Sequence, residues 1–468
     1  MDYNAATVPA KLALEIEDKT LTWQELALEV DDFAGKLATL TGPKAKTQQV
    51  IGLLMPNSWE YVVVYLAILK LGHIAMPIDT SYKQLEIDAI VKQIKPRLVI
   101  ALHKSSLKNC YDYQNVLALP EPANYRPLRL PANKQIASLL FTSGTTGRPK
   151  AVPNTHANHI WTIETCSSVW NWASKDTILV SLRLSHWYGL VMGLSGSIYH
   201  GNTMYLQDWF DPLATLTALS SGKISLFTHV PFAYQEMLIF AEKNPSKKYN
   251  LSKIRLMISG SGPLPPDNWR QFKDKFGVEV VEAYGSSEAG RIAANSLDNP
   301  KPGSPGQLLP GVRAKLSTDH ELLIKSAGVF PGYYHNSTAT RAGFTDDGWW
   351  RTGDIATLDG KQVFLKGRLQ EKIRKFGYTI SPRDVEWALL KHPKIQEVYV
   401  MGHPDERNLN DTLVYFIVGN ITDEELNEYS KSNLLFAWRA DKVIRLESLP
   451  RTATGKPSIL KLKELITV

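Results

Sequence analysis

Apolar residues along the first hundred positions recur either at helical spacing or in short continuous runs. The helical spacing is carried by Leu26, Val30, Phe33, Leu37 and Leu40. Thr22 and Glu25 precede them as a capping box, which predicts a helix that begins beside Thr22. Short apolar runs predict strands at 50–55, 74–78 and 98–102, with helices between them. Because strands joined by helical crossovers pair in parallel, the pattern indicates a doubly wound α/β region.

The same alternation continues beyond a proline-rich stretch at 117–133, which we predict to be a linker between two lobes. Further apolar runs predict strands at 136–141, 177–182, 225–230 and 254–259. The pattern then changes, because short strands with glycine turns over 303–365 predict a small β-rich subdomain, and an α+β pattern follows it. Within that last part, Ser381 and Pro382 predict the start of a helix.

Composition places the chain among globular proteins with more than one domain. It has 468 residues, of which 44% are hydrophobic and 21% are charged, and this length is too great for one core. The net charge of +7 suits an anionic ligand such as a nucleotide or CoA, or an acidic protein partner. No basic tail or low-complexity block accompanies this charge, so we expect no nucleic acid partner.

Cysteine usage and hydropathy indicate the cellular location. Cys110 and Cys166 show no metal-ligand spacing, and they fit a reducing compartment. The N-terminal residues contain no apolar core of the signal-peptide type. The longest strongly apolar run, from Tyr61 to Leu69, is too short to span a bilayer. We therefore expect a cytoplasmic enzyme without integral membrane association.

A run of Thr, Ser and Gly directly follows the apolar strand at 136–141. Its residues that could bind an anion are Thr142, Ser143, Gly144, Thr145, Thr146, Gly147 and Lys150. Glycines let backbone N–H groups turn toward an anion, and the hydroxyls add further hydrogen-bond donors. The loop therefore predicts a phosphate-binding site. It is not a Walker loop, because Pro149 precedes the lysine and extended chain follows. A polar surface turn is the alternative that this run alone leaves open.

The loop sequence TSGTTGRPKAV resembles the signature loop of the adenylate-forming superfamily, which includes acyl-CoA synthetases, coumarate ligases, luciferases and the adenylation domains of peptide synthetases. Four further stretches resemble motifs of the same superfamily, in the same order. They read VVEAYGSSEAG, GWWRTGDIATLDG, LKGRLQEKIRKFGYTISPRDVE and LPRTATGKPSILKL. The resemblance implies an α/β fold with a large multi-lobed N-terminal domain over 1–366, a hinge at 367–370, and a smaller mobile α+β C-terminal domain over 371–468.

The resemblance also implies roles for individual residues. Tyr284 would lie against adenine, and Asp354 and Arg368 would hold the ribose. Lys456 would reach the substrate carboxylate and the α-phosphate, while Glu288 and Thr145 would be the Mg²⁺ ligands. The implied catalytic residues are Lys456, Thr145, Lys150, Glu288 and His186. The implied residues that bind ATP or CoA are Thr142, Ser143, Gly144, Thr146, Gly147, Gly260, Tyr284, Gly285, Ser286, Ser287, Asp354, Arg368 and Gly377.

Two positions depart from the superfamily pattern. Ser287 stands where Thr is usual and keeps the hydroxyl, whereas Gln370 occupies the hinge position where Asp or Lys is usual. Gly377 lies on the loop that, in relatives, enters the active site for thioester formation. Taken one at a time, the motifs around Tyr284 and Asp354 are also compatible with ordinary turns, and the lysine near the C-terminus with a solvated side chain.

The stretch LRLSHWYGLVMGLSGSIYHGN resembles the acyl- and aryl-CoA synthetase form, with His186 at the pocket gate. A buried, hydrogen-bonded histidine is the alternative. Amino-acid-activating relatives carry an Asp in this region, and none stands between Leu182 and Gly201. An unpaired buried ammonium costs several kcal/mol, so we do not expect free amino acids as substrates. The segment SGSGPLP, which contains Gly260, resembles the loop beside adenine and the acyl pocket.

These expectations combine into an ATP- and Mg²⁺-dependent acid–thiol ligase. The enzyme would activate a fatty or aryl acid as acyl-AMP and then transfer the acyl group to CoA with release of AMP. The runner-up acceptor is the phosphopantetheine arm of an acidic acyl or peptidyl carrier protein. From another class, a non-catalytic binding module or an oxygenase that keeps the fold is the alternative. The residues around Trp187 and Tyr188 do not identify the acid.

Overall fold

The computed structural model describes residues 1–17, 19–103, 105–122, 125–130, 133–142, 149–376, 378–404, 411–452 and 455–466. The strands in these ranges are β1 (Leu12–Ile16), β2 (Lys19–Thr22), β3 (Val50–Leu54), β4 (Ile74–Pro77), β5 (Leu98–Ala101), β6 (Cys110–Asp112), β7 (Ile136–Thr142), β8 (Lys150–Thr155), β9 (Thr177–Val180), β10 (Thr203–Leu206), β11 (Leu226–His229), β12 (Leu256–Gly260), β13 (Val280–Ser286), β14 (Gly290–Ala294), β15 (Gly306–Leu308), β16 (Arg313–Leu316), β17 (Glu321–Lys325), β18 (Trp350–Asp359), β19 (Gln362–Arg368), β20 (Ile373–Lys375), β21 (Tyr378–Ile380), β22 (Ile395–Pro404), β23 (Asp411–Gly419) and β24 (Lys442–Arg445).

The α-helices in the same ranges are α1 (Asp2–Thr7), α2 (Trp23–Thr41), α3 (Trp59–Lys70), α4 (Gln84–Ile94), α5 (Tyr113–Leu117), α6 (His156–Trp170), α7 (Gly196–His200), α8 (Pro212–Ser220), α9 (Pro231–Lys243), α10 (Pro266–Phe276), α11 (Ser337–Gly343), α12 (Pro382–Leu389), α13 (Asp423–Asn433) and α14 (Ile459–Ile466). A π-helix covers Tyr188–Ser195, and 3₁₀ turns cover Leu369–Glu371 and Phe436–Trp438. None of the described helices is both long enough and apolar enough to cross a lipid bilayer.

The first sheet has the strand order β6-β5-β3-β4-β7-β8 over the described residues. Its strands are parallel up to β7, and β8 then pairs antiparallel with β7. The predicted helix after Thr22 is α2, and the side chains of Thr22 and Glu25 form its capping box. Helix α3 begins after the cap Ser58, whose hydroxyl accepts a hydrogen bond from the Tyr61 N–H. The structure therefore confirms the doubly wound region that the apolar runs and capping signals of the sequence predicted.

The proline-rich stretch at 117–133 is not the linker between lobes that the sequence predicted. It leads from α5 to β7, and β7 belongs to the same sheet as β6, the strand directly before α5. Its described part also packs back on the molecule, because the Thr39 hydroxyl donates to Pro120 O at 2.6 Å and the Leu128 N–H donates to Leu71 O at 3.0 Å. Proline keeps a segment out of a sheet whether it joins two lobes or crosses a surface, so composition alone could not separate these cases.

The second sheet has the strand order β16-β17-β18-β19-β15-β14-β13-β12-β11-β9-β10-β1-β2 over the described residues. Its centre from β10 to β13 is parallel, and β14 begins an antiparallel part. The strands predicted over 303–365 are present, and β15 joins them to β14, so they extend the large sheet. The carboxyl ends of β11, β12 and β13 lie at one edge. Ligands of open α/β sheets bind at such an edge.

The C-terminal unit consists of the pairs β20-β21 and β22-β23-β24 together with α12, α13 and α14. Its own apolar core includes Val385, Leu389, Val400 and Leu413, all buried. Helix α12 begins as the sequence predicted, because the Ser381 hydroxyl caps it and Pro382 occupies its first turn. This unit packs against the large sheet at β19 and α9, and those contacts bear directly on the site described next.

Candidate active site

Three residues that the sequence assigned to the nucleoside lie together. Strands β18 and β19 are antiparallel neighbours, and Asp354 stands directly opposite Arg368 in their register. Arg368 Nε lies 3.0 Å from Asp354 Oδ1, and the Tyr284 hydroxyl donates to Asp354 Oδ2. Asp354 is 8% exposed and Tyr284 is 9% exposed, so both partners are held in the interior. The negative charge of Asp354 raises the pKa of Arg368. An aromatic ring and a buried carboxylate are thus presented side by side.

The loop between β13 and β14 brings the backbone at Gly285 unusually close to the backbone at Gly290. A bulge separates Tyr284 from Gly285, and a Cβ on Gly285 would lie 2.2 Å from Gly290 O. Only glycine fits at position 285 for this reason. The hydroxyl of Ser286 is buried without a hydrogen-bond partner among the described residues, and Ser287 is half-buried. A buried hydroxyl without a partner is typical of a site that a ligand completes.

The turn after β12 is strained next to Gly260. Ser261 has a φ of 66°, in the left-handed region that residues other than glycine rarely adopt. A Cβ on Gly260 would lie 2.8 Å from Arg291 Nη1 and 3.0 Å from the Tyr188 hydroxyl. The glycine therefore leaves room for these two side chains to approach the end of the strand. Backbone strain of this kind is concentrated at ligand sites.

Glu288 and Lys150 meet at Tyr333, a residue that the sequence did not point to. The Tyr333 hydroxyl donates to Glu288 Oε1 at 3.1 Å, and Lys150 Nζ lies 5.0 Å from the centre of the Tyr333 ring. Burial and then the neighbouring carboxylate raise the pKa of Tyr333, so it stays a hydrogen-bond donor. Lys150 opens β8 and pairs with Thr142, the last residue of β7. The predicted phosphate loop is therefore the connection of an antiparallel strand pair, followed by extended chain as expected.

Part of the predicted site cannot be placed. Ser143, Gly144, Thr145, Thr146, Gly147 and Gly377 lie outside the described residues. Thr142 and Lys150 frame the first group at the two ends of its loop. The roles assigned to the loop residues stay predictions.

Lys456 reaches the nucleoside residues from the C-terminal unit. It follows Gly455, whose φ of 77° allows a tight turn. The side chain keeps contact with solvent, yet the surrounding protein lowers the pKa of its amine. Arg368 lowers this pKa further, whereas Asp354 and Glu288 oppose the effect. The charges of all three residues on the N-terminal part therefore act on a lysine that the C-terminal unit contributes.

Arg451 holds the Lys456 loop against the large sheet. Its guanidinium lies 4.1 Å from the centre of the Phe232 ring on α9, and its Nη1 donates to Gly455 O at 2.8 Å. It also forms an ion pair with Glu397 on β22. The arginine thus contacts the loop, its own unit and the large sheet at once. Arg451 lies within the last quoted motif, but no local pattern in the sequence distinguishes it from a solvated arginine.

A second set of contacts holds α12 beside β19. The Ser381 hydroxyl donates to Lys366 O at 2.5 Å, and Arg383 Nη1 donates to Leu365 O at 2.9 Å. The 3₁₀ turn that contains Gln370 follows β19 directly, so the predicted hinge position lies between the large sheet and the C-terminal unit. The hinge role of Gln370 stays a prediction.

Glu282 on β13 is a buried acid near this contact. It is 7% exposed, and its carboxylate accepts a hydrogen bond from the Leu264 N–H at 3.0 Å. Burial raises the pKa of Glu282 to about 7, although Leu264 and the nearby Arg383 partly oppose the shift. The acid is consequently uncharged over much of the acidic pH range.

His186 does not stand alone at the predicted gate. Its Nε2 lies 2.8 Å from Oδ2 of Asp79, a residue just beyond β4 that is 2% exposed. The Ser185 hydroxyl donates to the same oxygen, and Ser81 donates to Oδ1 through its N–H and its hydroxyl. Burial alone would raise the pKa of Asp79, but His186 and Ser81 outweigh it and lower the pKa. The structure thus orients the imidazole with a carboxylate that lies over one hundred positions earlier in the chain.

The residues around Glu288 fit a Mg²⁺ ion that is bound mainly by its substrate. Among the residues that the structure describes, no three His, Cys, Asp or Glu side chains cluster as a metal cage would require. Mg²⁺ is commonly held by one or two carboxylates together with phosphate oxygens and water. Glu288, with one oxygen bonded to Tyr333 and the other available, has the chemistry for that arrangement. Thr145, the other implied ligand, lies outside the described residues.

The fold and the site together define a class of enzyme. A doubly wound N-terminal part brings together Tyr284, Asp354 and Arg368, the residues that the sequence assigned to the nucleoside, and a separate α+β unit carries the lysine assigned to the same site. Protein-family models agree with this description. The model for the AMP-binding enzyme matches residues 1–334, and the model for the AMP-binding enzyme C-terminal domain matches residues 384–456. The chain belongs to the AMP-binding, adenylate-forming enzyme family.

Individual relatives extend over the whole chain. The 2-succinylbenzoate–CoA ligase of Listeria monocytogenes is 30% identical, over 97% of this chain and 97% of its own length. The mitochondrial malonate–CoA ligase of Homo sapiens is 27% identical, over 95% of this chain and 88% of its own length. Among solved structures, the o-succinylbenzoate CoA synthetase of Bacillus subtilis in complex with its acyl-adenylate is 25% identical. It matches with a TM-score of 0.87, over 99% of this chain and 97% of that chain.

Proposed function

We propose that this enzyme is an AMP-forming acid–CoA ligase, which joins a carboxylic acid to CoA in two steps and consumes ATP. One observation carries the proposal: Arg451 holds the Lys456 loop of the C-terminal unit against Phe232 of the N-terminal part, where the charges of Arg368, Asp354 and Glu288 act on the pKa of the lysine. A binding module would need only the nucleoside residues. A lysine brought in by a separate unit is the arrangement that a reaction between two anions requires.

In the first step, an oxygen of the substrate carboxylate attacks the α-phosphorus of ATP, and the bond from that phosphorus to pyrophosphate breaks. Both reactants are anions, so the barrier depends on neutralising and aligning them. Lys456 would lie between the carboxylate and the α-phosphate, and Lys150 with the loop 143–148 would hold the outer phosphates. Asp354 would accept hydrogen bonds from both ribose hydroxyls, since a carboxylate accepts two such bonds at once.

Mg²⁺ would be held by Glu288 and, by resemblance, Thr145. When bound, this ion neutralises phosphate charge and helps pyrophosphate to leave. The Tyr333 hydroxyl, bonded to one oxygen of Glu288, would fix the direction in which the other oxygen points.

In the second step, the CoA thiolate attacks the acyl carbon and AMP leaves with the electrons of the broken C–O bond. We propose that the unit beyond 367–370 rotates for this step, withdraws Lys456 and presents the loop at Gly377. The contacts of α12 with Leu365 O and Lys366 O support such a motion, because they use few hydrogen bonds and backbone acceptors. An interface of this kind is consistent with units that move relative to each other.

CoA is the proposed acceptor, and the reported relatives are named as CoA ligases. A carrier protein is not favoured by these comparisons. For the substrate, the acids named for the two reported ligases, 2-succinylbenzoate and malonate, carry no amino group, which agrees with the missing Asp between Leu182 and Gly201. We propose the cytoplasm as the location, supported by the two free cysteines Cys110 and Cys166.

The decisive experiment follows both steps with purified enzyme and Mg²⁺. Labelled pyrophosphate should exchange into ATP when a suitable organic acid is present, and CoA should then yield a thioester and AMP. Carrier proteins bearing phosphopantetheine, supplied in place of CoA, should give no thioester. Absence of pyrophosphate exchange across short, long and aromatic acids would overturn the proposal. Exchange without CoA thioester, but with carrier thioester, would overturn only the choice of acceptor.

A further inference from the structure

Arg291 is a buried cation, and some of its N–H groups have no hydrogen-bond partner among the described residues. It is 2% exposed, and its Nε and Nη2 atoms make no hydrogen bond among the described residues. A buried guanidinium normally has its N–H groups paired, because an unpaired charge in the interior is strongly unfavourable. The structure therefore holds a cationic donor pair that requires an acceptor from outside the described protein.

Aromatic rings cover the face of this guanidinium and leave its edge available. Arg291 Cζ lies 4.1 Å from the centre of the Tyr188 ring and 5.7 Å from the centre of the Trp187 ring. Ring faces attract the cation, but they do not satisfy its in-plane N–H groups in the way an oxygen acceptor does. Nε and Nη2 are the two parallel donors on one edge. That edge matches the two oxygens of a carboxylate.

Arg291 lies next to the place where the acyl group of the substrate would bind in the proposed reaction. It lies on β14, three residues after Glu288, and pairs across the strands with Gly285. Its guanidinium fills the space beside Gly260 that a Cβ would close. Tyr188, which covers the guanidinium, is two residues beyond His186 on the adjoining π-helix. Arg291 thus lies between the nucleotide loop and the predicted gate.

The rings around Arg291 are themselves fixed. The Thr228 hydroxyl donates to the Tyr188 hydroxyl at 2.5 Å, and the Tyr188 hydroxyl donates to Ile258 O at 3.3 Å. These bonds come from β11 and β12, the strands whose ends form the site. The cation is therefore held in a defined place, as recognition of a specific group requires.

We infer that the acid activated by this enzyme carries a second carboxylate, and that Arg291 binds that distal carboxylate while the first one reacts. The inference rests on the proposed function and adds its substrate class: a dicarboxylic acid. An uncharged or purely apolar acyl chain would leave the Arg291 donors unpaired in the complex. A site built to bind a charged group rejects the analogue that lacks it.

The test compares acids of equal length that differ only at the distal end. Propionate is paired with malonate, butyrate with succinate, and 2-methylbenzoate with phthalate, each in pyrophosphate exchange and in CoA thioester formation. For at least one pair, wild-type enzyme should favour the diacid at least about 100-fold in kcat/KM. Arg291→Met should remove this preference mainly through KM for the diacid, and it should retain or improve exchange with the monocarboxylate.

Two further variants keep the test informative. Arg291→Lys keeps the charge but loses the paired edge, so it should keep a reduced diacid preference even if Arg291→Met unfolds. Arg313→Met, an exposed arginine on β16, is the matched control and should leave the preference unchanged. Thermal unfolding of each variant separates loss of fold from loss of binding.

The outcomes are distinct. A wild-type enzyme that activates monocarboxylates as well as or better than every matched diacid would overturn the inference and leave the proposed function standing. A diacid preference of wild-type size in both Arg291→Met and Arg291→Lys would overturn the role of Arg291. If wild-type enzyme exchanges pyrophosphate with none of the acids in this or the wider panel, the proposed function fails and the inference fails with it.

Discussion

The half-buried His186 and the buried Asp79 form a close pair, with 2.8 Å between Nε2 and Oδ2, and they come from different sheets of the N-terminal part. Asp79 follows β4 of the first sheet, and His186 follows β9 of the second. The gate that the sequence assigned to His186 is thus shared between two sheets. Asp79 acts as a positioning residue, since its other acceptor sites are already occupied by Ser81 and Ser185.

Asp79→Asn should therefore impair use of the acid more than use of ATP. The amide keeps the shape but loses the charge that orients the imidazole, so kcat/KM for the acid should fall on the order of tenfold to 100-fold. KM for ATP should change little. Steady-state kinetics with each substrate varied checks this, and Asp88→Asn, an exposed acid on α4, is the control. An equal rise in both KM values would indicate a general structural role instead.

Lys456→Ala should separate the two half-reactions. Loss of one preorganised donor costs roughly 2.7–4 kcal/mol of barrier, which is on the order of a 100- to 1,000-fold loss in acyl-AMP formation. Thioester formation from supplied acyl-AMP should be spared, because the lysine is withdrawn in that step. Lys461→Ala, an exposed lysine on α14, serves as the control. Equal losses in both half-reactions would contradict the assigned role.

Gly377→Trp should have the opposite effect. The indole would obstruct the loop that the rotated C-terminal unit presents to the thiol, so acyl-AMP should still form while the thioester rate falls. Pyrophosphate exchange and thioester release, measured on the same preparation, check the prediction. A variant that loses both activities equally would argue against a loop used in one step only.

The opposed pair of Asp354 and Arg368 should be energetically coupled in ATP binding. Asp354→Asn removes the negative charge that holds Arg368, and Arg368→Gln removes the cation that orients Asp354. Each variant alone should raise KM for ATP by about tenfold. The double variant should raise KM for ATP by less than the product of the two single-variant increases. Residues in one ion pair give such non-additivity. Strictly multiplicative effects would mean that the two side chains contact the nucleotide independently.

Glu282 should make stability fall as pH rises from about 4.5 to about 7. Its folded-state pKa is about 7, above its ordinary value of 4.5, so the unfolded chain loses this proton first. The stabilisation is complete below 4.5 and is lost as pH passes through 7, by about 3 kcal/mol for a shift of this size. Urea unfolding between these pH values should show a flatter profile for Glu282→Gln. Glu242→Gln, at an exposed position on α9, should leave the slope as in the wild type.

Much of the fold could be predicted from local signals. The cap of α2 at Thr22, the cap of α12 at Ser381 and the apolar runs of the parallel strands are contained within a few residues each. Such signals do not specify which sheet a segment joins. The stretch at 117–133 was misassigned for that reason, since β6 and β7 belong to one sheet only through the strands β5, β3 and β4 that lie between them.

The candidate site divides in the same way. Residues within contiguous motifs, such as Tyr284, Glu288 and Lys456, could be predicted by resemblance, and the structure brings them together. Their partners could not. Asp79 and Tyr333 act through contacts between distant parts of the chain, and no spacing in the sequence links them to His186 or Glu288. Arg291 gave no signal as an isolated arginine in a strand, because its significance lies in its burial.

The order of strands in the large sheet has a consequence for the catalytic cycle. Strands β13, β14, β15, β19 and β18 are successive neighbours, so Tyr284 and Asp354 belong to one continuous ladder of backbone hydrogen bonds. They cannot separate unless that ladder breaks. AMP can consequently stay bound to the same surface from its formation to its displacement. Only the part of the C-terminal unit that faces AMP, first the Lys456 loop and then the loop at Gly377, has to change.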